Sequence, residues 1–164
     1  MFSIVLNKQK SVPQPSCSEI LKALFGGSLS IGLLLLLSQW SGHLWIMAPF
    51  GASCVLLYAA AQSPLAQPRN VILGHFITAC IGLIFLKLLG VHVWSIALSV
   101  GCAIAMMQWL GCVHPPAGAN PLVILLTANT IHYDGYFLIF PVLSGAVALV
   151  LIAKCVNNFK ARQK

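Results

Sequence analysis

The stretch Cys112-Val113-His114-Pro115-Pro116-Ala117-Gly118-Ala119-Asn120-Pro121 breaks an otherwise apolar sequence with a backbone that cannot be plain helix. Pro115 and Pro116 lack an N–H, and each drives the residue before it toward extended geometry. Gly118 lets a ligand or a neighbouring backbone come close. From there the chain is apolar through Val123, Ile124, Leu125 and Leu126. The pattern predicts an extended lead-in, then the N-terminus of a short helix running to about Thr130. In water this would be one more loop. In lipid, unpaired backbone groups cost several kcal/mol each, so such a break needs a built surrounding.

Composition puts this chain in lipid. Of 164 residues, 59% are hydrophobic and 7% charged, where a soluble domain carries about a quarter charged residues. Mean hydropathy is +0.93. The expectation is an all-α, multi-pass integral membrane protein surrounded by a lipid bilayer. The formal net charge of +7 sits mostly at the ends of the chain. Lys8, Lys10 and Lys22 precede or open the first apolar run; Lys154, Lys160, Arg162 and Lys164 close the last. Basic ends on a hydrophobic chain place both termini in the cytoplasm, here at a bacterial inner membrane. They do not make a nucleic-acid binder, which needs a dense basic face with stacking aromatics. The first apolar run lacks the small-residue cleavage site of a signal peptide. The six cysteines have no paired spacing and read as small buried hydrophobes.

A second break echoes the first. In Ala48-Pro49-Phe50-Gly51-Ala52-Ser53, Pro49 lies 67 positions before Pro116. At that offset Gly51 falls on Gly118, Ala52 on Ala119 and Ser53 on Asn120. The reading is an internal repeat, residues 24–89 and 91–156, within a membrane domain 20–156. Residues 1–19 form a cytoplasmic tail and 157–164 a basic tail. Spans are expected at 20–40, 71–89, 92–112 and 137–156, with broken segments at 44–61 and after Cys112. Gly74, Thr78 and Gly82 recur at four-residue spacing, which suits close helix packing. Two topologies follow. Six crossings, two of them broken by Pro-Gly, make two inverted repeats of three. Re-entrant Pro-Gly segments leave four full spans instead. The inverted plan is preferred, since broken helices meeting near the midplane are a common transporter arrangement.

In that plan the two half-helices begin near the membrane centre and point apart. Their first-turn N–H groups, at Gly51-Ala52-Ser53 and Gly118-Ala119-Asn120, then face one volume, with Pro49, Pro115 and Pro116 around it. Each helix N-terminus carries about half an elementary positive charge, so two together suit a small anion. Ser53 and Asn120 add side-chain donors, unless they cap their own helices. The only acids are Glu19 and Asp134, neither inside an apolar segment. Carriers of cations place carboxylates in the membrane, so an anionic or neutral solute is favoured. His114 is a candidate to donate to the anion or take a proton with it; the plainer alternative is a histidine satisfied by a carbonyl beside the double proline. His75, Gln108 and Arg69 are weaker candidates for lining the pathway. A lone Cys112-x-His114 is too little for a metal site. No nucleophile–base set or phosphate-cradling loop suggests an enzyme or a cofactor.

These residues resemble the HPP family of integral membrane proteins, named for the His-Pro-Pro found here as His114-Pro115-Pro116. The matching stretches include Ala48-Pro49-Phe50-Gly51-Ala52, the run Ser63 to Asn70, Gly74-His75, and His114 to Ala119. The resemblance implies a membrane domain usually described as four-span, with nitrite transport in cyanobacterial and chloroplast members. Some members carry an added nucleotide-binding module, and regulation through one is not expected here. The expectation is therefore a transporter or channel for a small inorganic anion, nitrite first, held at the two facing half-helix N-termini. The alternatives are a membrane scaffold without transport, or a pathway for a small neutral solute. A chain this small also suits self-association into a homo-oligomer.

Overall fold

The first helix starts where Ser16 and Glu19 cap it. The Ser16 hydroxyl accepts from the Glu19 N–H, and the Glu19 carboxylate accepts from the Ser16 N–H at 2.8 Å. This reciprocal box satisfies donors that the first turn leaves open. Helix α1 (Cys17–Ser41) therefore begins three residues before the expected position, inside the segment assigned to the tail. It ends at Gly42, whose φ of 69° is a left-handed conformation suited to glycine. The structure, a computed structural model, describes residues 14–158. Most of the expected N-terminal tail and nearly all of the basic C-terminal tail lie outside them.

Five more helices follow: α2 (Pro49–Ala59), α3 (Pro68–Leu89), α4 (Val93–Trp109), α5 (Asn120–Leu126) and α6 (Ser144–Asn158). A tight 3-10 turn, Pro115–Ala119, leads into α5, which stops at Leu126 rather than near Thr130. A wide turn, Leu138–Leu143, leads into α6; Phe140 leaves helical geometry there, just before Pro141. No strand occurs among the described residues. Three helical stretches are long and apolar enough to cross a membrane: Cys17–Ser41, Pro68–Leu89 and Leu138–Asn158. Their outer faces leave large apolar side chains exposed, Phe25, Leu88 and Leu151 among them. That is costly in water and suits lipid. The chain is a multi-pass membrane protein.

Close contacts fix how the helices run. Gly74 lies against His114 and Ala117, and Gly82 against Pro121 and Ile124. The segment 114–124 therefore runs beside α3 in the same direction. Trp45 packs edge-on to Phe140 at 5.1 Å, while the Leu57 carbonyl accepts from the Asn157 amide at 3.1 Å. The segment 45–57 thus runs beside α6, again in the same direction. α1 runs the opposite way to α2: Ser38 bonds the Trp45 N–H, and Ser30 bonds Tyr58. α4 returns along α3, with Arg69 bonded to the Leu110 carbonyl at 3.0 Å. One end of the bundle therefore gathers Glu19, Lys22, Arg69 and Lys154, and the other Lys87 and Asp134.

The small-residue stripe on α3 makes some of the close approaches. A Cβ at Gly82 would sit 2.8 Å from Ile124 Cδ1 and 3.0 Å from Pro121 Cα. Gly82→Val forces the two backbones apart and is expected to cost about 1–3 kcal/mol, the range for overpacking. Thermal unfolding in detergent should show a clear drop in midpoint. Gly101→Ala is the control, since a Cβ there meets nothing within 4 Å, and it should hold or raise the midpoint.

Candidate functional site

Two broken segments meet where α2 and the 115–119 turn come together. A cavity of about 570 Å³ opens between them, lined by Ala48, Pro49, Ala52, Leu56, Pro115, Pro116, Ala119 and Val123. These eight residues form four pairs (48/115, 49/116, 52/119, 56/123), each separated by the 67 positions that separate the two Pro-Gly motifs. From here α2 runs toward the end of α6 and α5 toward the far end of α3, so the helices diverge from a shared start. The cavity is an apolar groove open to the outside of the bundle. Gly51 and Gly118 face open space, with nothing within 4 Å of a Cβ built on either. No backbone takes the close approach expected at Gly118; on α3 the close glycines are Gly74 and Gly82.

Some of the amides at the two helix starts are already used. Phe50 N–H donates to the Met47 carbonyl at 3.0 Å and Gly51 N–H to Ala48 at 3.2 Å. On the other segment Ala117 N–H donates to His114 and Asn120 N–H to Ala117. Local 3-10 bonds thus take up donors that the anion reading left free. Nor do Ser53 and Asn120 cap their helices: the N-cap residues are Ala48 and Ala119, without side-chain bonds.

Instead Ser53 and Asn120 turn inward, to a cluster that the sequence split among separate segments. Ser53, His75, Thr78, His114 and Asn120 are all fully buried. Ser53 Oγ lies 2.8 Å from His75 Nε2 and 2.9 Å from His114 Nε2. The imidazole centroids are 5.1 Å apart, and Phe50 packs edge-on to His75. His114 Nδ1 is 2.9 Å from the Leu65 carbonyl. Asn120 Nδ2 donates to the His75 carbonyl and to Thr78 Oγ1, each at 2.9 Å, and lies 3.2 Å from His75 Nδ1. Thr78 passes its own hydrogen to the Gly74 carbonyl at 2.8 Å.

The protons of the neutral cluster follow from one fact: a carbonyl can only accept. The Leu65 carbonyl therefore holds the hydrogen of His114 on Nδ1, leaving Nε2 as an acceptor. Ser53 supplies that acceptor with its single hydrogen. His75 must then donate from Nε2 to Ser53, which leaves its Nδ1 unprotonated beside the Asn120 amide, whose two hydrogens go to the His75 carbonyl and Thr78 Oγ1. Asn120 Oδ1, 3.4 Å from His75 Nδ1, is left in this arrangement without a hydrogen to accept. His114 thus does meet a backbone carbonyl, as the plainer sequence reading allowed, but its second nitrogen works in the cluster.

The remaining candidates scatter. His75 stands at the centre. Gln108 is exposed and faces away from the cluster. Arg69 is exposed at the start of α3 and braces the end of α4 through Leu110. Cys112 is buried beside the cluster, and no set of three metal-ligating side chains occurs among the described residues. Sequence reasoning missed Thr78 as a member of the cluster and the Leu65 carbonyl as its anchor. Thr78 was visible only as a small packing residue, and a carbonyl leaves no mark in sequence.

Comparison with known proteins places these features. The family model described as "HPP, transmembrane region" matches residues 12–164. A transmembrane protein of Dictyostelium discoideum is 34% identical over 164 residues, covering 95% of this chain and 58% of the relative. A second transmembrane protein from the same organism is 37% identical over 125 residues, covering 74% of this chain and 40% of the relative. The chain thus spans about half the length of these relatives. No solved structure matches.

Removing Asn120 tests whether the cluster is as tightly satisfied as it looks. Asn120→Leu takes the amide away from Thr78 Oγ1 and the His75 carbonyl and strands His75 Nδ1 in a dry interior, and a stranded group costs about 1–3 kcal/mol. Its melting midpoint should fall well below that of Gln108→Ala, which should stay within about 0.5 kcal/mol of wild type as an exposed substitution does.

Proposed function

The chain belongs to the HPP transmembrane family, and from that premise we propose that it carries a small monovalent anion, nitrite first, across a membrane. The observation that carries this reading is the buried Ser53–His75–His114–Asn120 cluster at the junction of two broken segments. Polar side chains inside a membrane domain are costly and rare outside functional sites. This cluster is rich in donors and contains no carboxylate. An entering anion can take the hydrogens that Ser53, His75 and Asn120 otherwise give one another, and a cation finds no negative charge to balance it. The apolar groove lined by Pro49, Ala52, Pro116 and Ala119 opens to the outside between the same two segments, and the cluster side chains lie behind its lining. Under this reading the anion meets side chains rather than the helix-start amides of Gly51 and Gly118.

We read the fold as six crossings in two inverted repeats, residues 24–89 and 91–156. The four residue pairs of the groove support this. So do the helix contacts, since α1 packs on α6 as α4 packs on α3, and α2 on α6 as α5 on α3. Both chain ends then emerge on the side that carries Lys22, Arg69 and Lys154, which the positive-inside rule assigns to the cytoplasm. A second reading, a membrane scaffold without transport, draws on the open groove of Ala and Pro side chains, a shape that suits a partner helix.

Purified protein in proteoliposomes should take up nitrite above the rate of empty liposomes, with small neutral solutes failing to compete. His114→Ala should lower the initial rate about tenfold, equivalent to about 1.4 kcal/mol of barrier. Absence of flux in wild-type vesicles, with a stoichiometric membrane partner co-purifying, would favour the scaffold instead.

A further inference from the structure

We propose that Ser53 relays a proton between His75 and His114, so that the two imidazoles together hold one exchangeable proton, which travels with the anion. The relay stands on geometry alone; that the proton moves with an anion rests on the transport reading above.

Ser53 Oγ has one hydrogen and two imidazole nitrogens within 2.9 Å. Only one of these contacts can take the serine hydrogen, so the other ring must donate. Direction along the chain is therefore set by where the hydrogens sit, and it can reverse. In the neutral cluster His75 donates and His114 accepts. A proton that reaches His75 Nδ1 when the cluster opens finds Asn120 Oδ1 at 3.4 Å to receive the new N–H. His75 then gives its Nε2 proton to Ser53 Oγ, while the original Ser53 hydrogen passes to His114 Nε2. One N–H and one O–H bond break, and one O–H and one N–H bond form. Ser53 ends unchanged, and the charge has moved to His114, whose Nδ1–H still holds the Leu65 carbonyl. With the rings 5.1 Å apart, two like charges repel strongly in a medium of low dielectric. The pair therefore accommodates one proton rather than two.

No other charge competes for that role. From α3, Arg69 is exposed at the end of the bundle and bonded to Leu110. α2 brings the buried thiol of Cys54, and the stretch before His114 brings that of Cys112. α4 has no charged residue, and Cys102 on it is partly exposed. α5 contributes only the neutral Asn120, and on α6 Lys154 lies near the far terminus of the helix. The two acids among the described residues, Glu19 and Asp134, sit at the ends of the bundle.

Two measurements decide this. The first is nitrogen NMR on the full chain with 15N-labelled histidine in lipid nanodiscs, titrated with acid. The expected result is one proton taken up by the pair, with its charge shared between the His75 and His114 signals. Ser53→Ala should confine that charge to a single ring. Independent uptake of two protons, no uptake at all, or unchanged sharing in Ser53→Ala overturns the relay. The second uses proteoliposomes with a trapped pH dye and an imposed nitrite gradient, corrected for empty liposomes. Wild type should move protons with nitrite, and Ser53→Ala should lose at least about tenfold of that proton movement. Nitrite flux without protons overturns the coupling and leaves transport standing. Absence of nitrite flux removes the transport reading, and the NMR result still decides the relay.

Discussion

A single serine hydrogen, placed between two imidazoles where no water reaches, is the constraint that orders the centre of this molecule. In an exposed site such a group would trade partners with solvent. Here each donor must meet an acceptor within the protein, because an unpaired buried group costs more than most single interactions return. The Leu65 carbonyl sets one end of the chain of bonds, and the Gly74 carbonyl receives the other through Thr78. Four separate stretches of sequence must therefore arrive in register: the loop before α3, α3 itself, α2, and the turn after α4.

The helix breaks make that register possible. A continuous helix would spend its backbone groups internally and present one face to its neighbours. Pro49 and Pro116 instead start helical turns in mid-bundle, so that Ser53 sits between the two rings and Asn120 reaches the same His75 from the other segment. Glycine closes the distance from the other side. Gly74 leaves space that the His114 side chain fills, its Cβ 2.9 Å from where a glycine substituent would lie. Gly145 does the corresponding work on α6, where Phe50 and the Trp45 carbonyl come in. Packing and polar chemistry are thus fixed by the same contacts, as close-packed interiors require.

Much of the architecture was legible in sequence because it is written in local pattern. Apolar runs gave the helices to within a few residues, and the Gly74-Thr78-Gly82 spacing marked the face that α5 packs on. The Ser16-x-x-Glu19 box was equally readable and was passed over. The site was legible only in its membership. His75, His114, Ser53 and Asn120 each stood out alone, but their partners lie 22 to 61 positions away, and no periodicity reports that. Gly118 misled for a related reason: it sits in a 3-10 turn without a positive φ and without a close neighbour, so its place asks nothing special of it. Gln108 misled because a polar residue near a motif says nothing about which side of the helix it takes.

The Leu65 anchor has a consequence of its own. What holds His114 in one tautomer is a main-chain oxygen, and it belongs to a short strap with proline at both ends, Pro64 and Pro68. No side chain along that strap makes the bond, and apart from the buried Ala66 they are free to drift. The spacing is what must stay fixed. Adding or deleting one residue between Ser63 and Pro68 would swing the oxygen away and leave the imidazole without a fixed orientation, so this surface loop, unlike most, is intolerant of length change while indifferent to spelling.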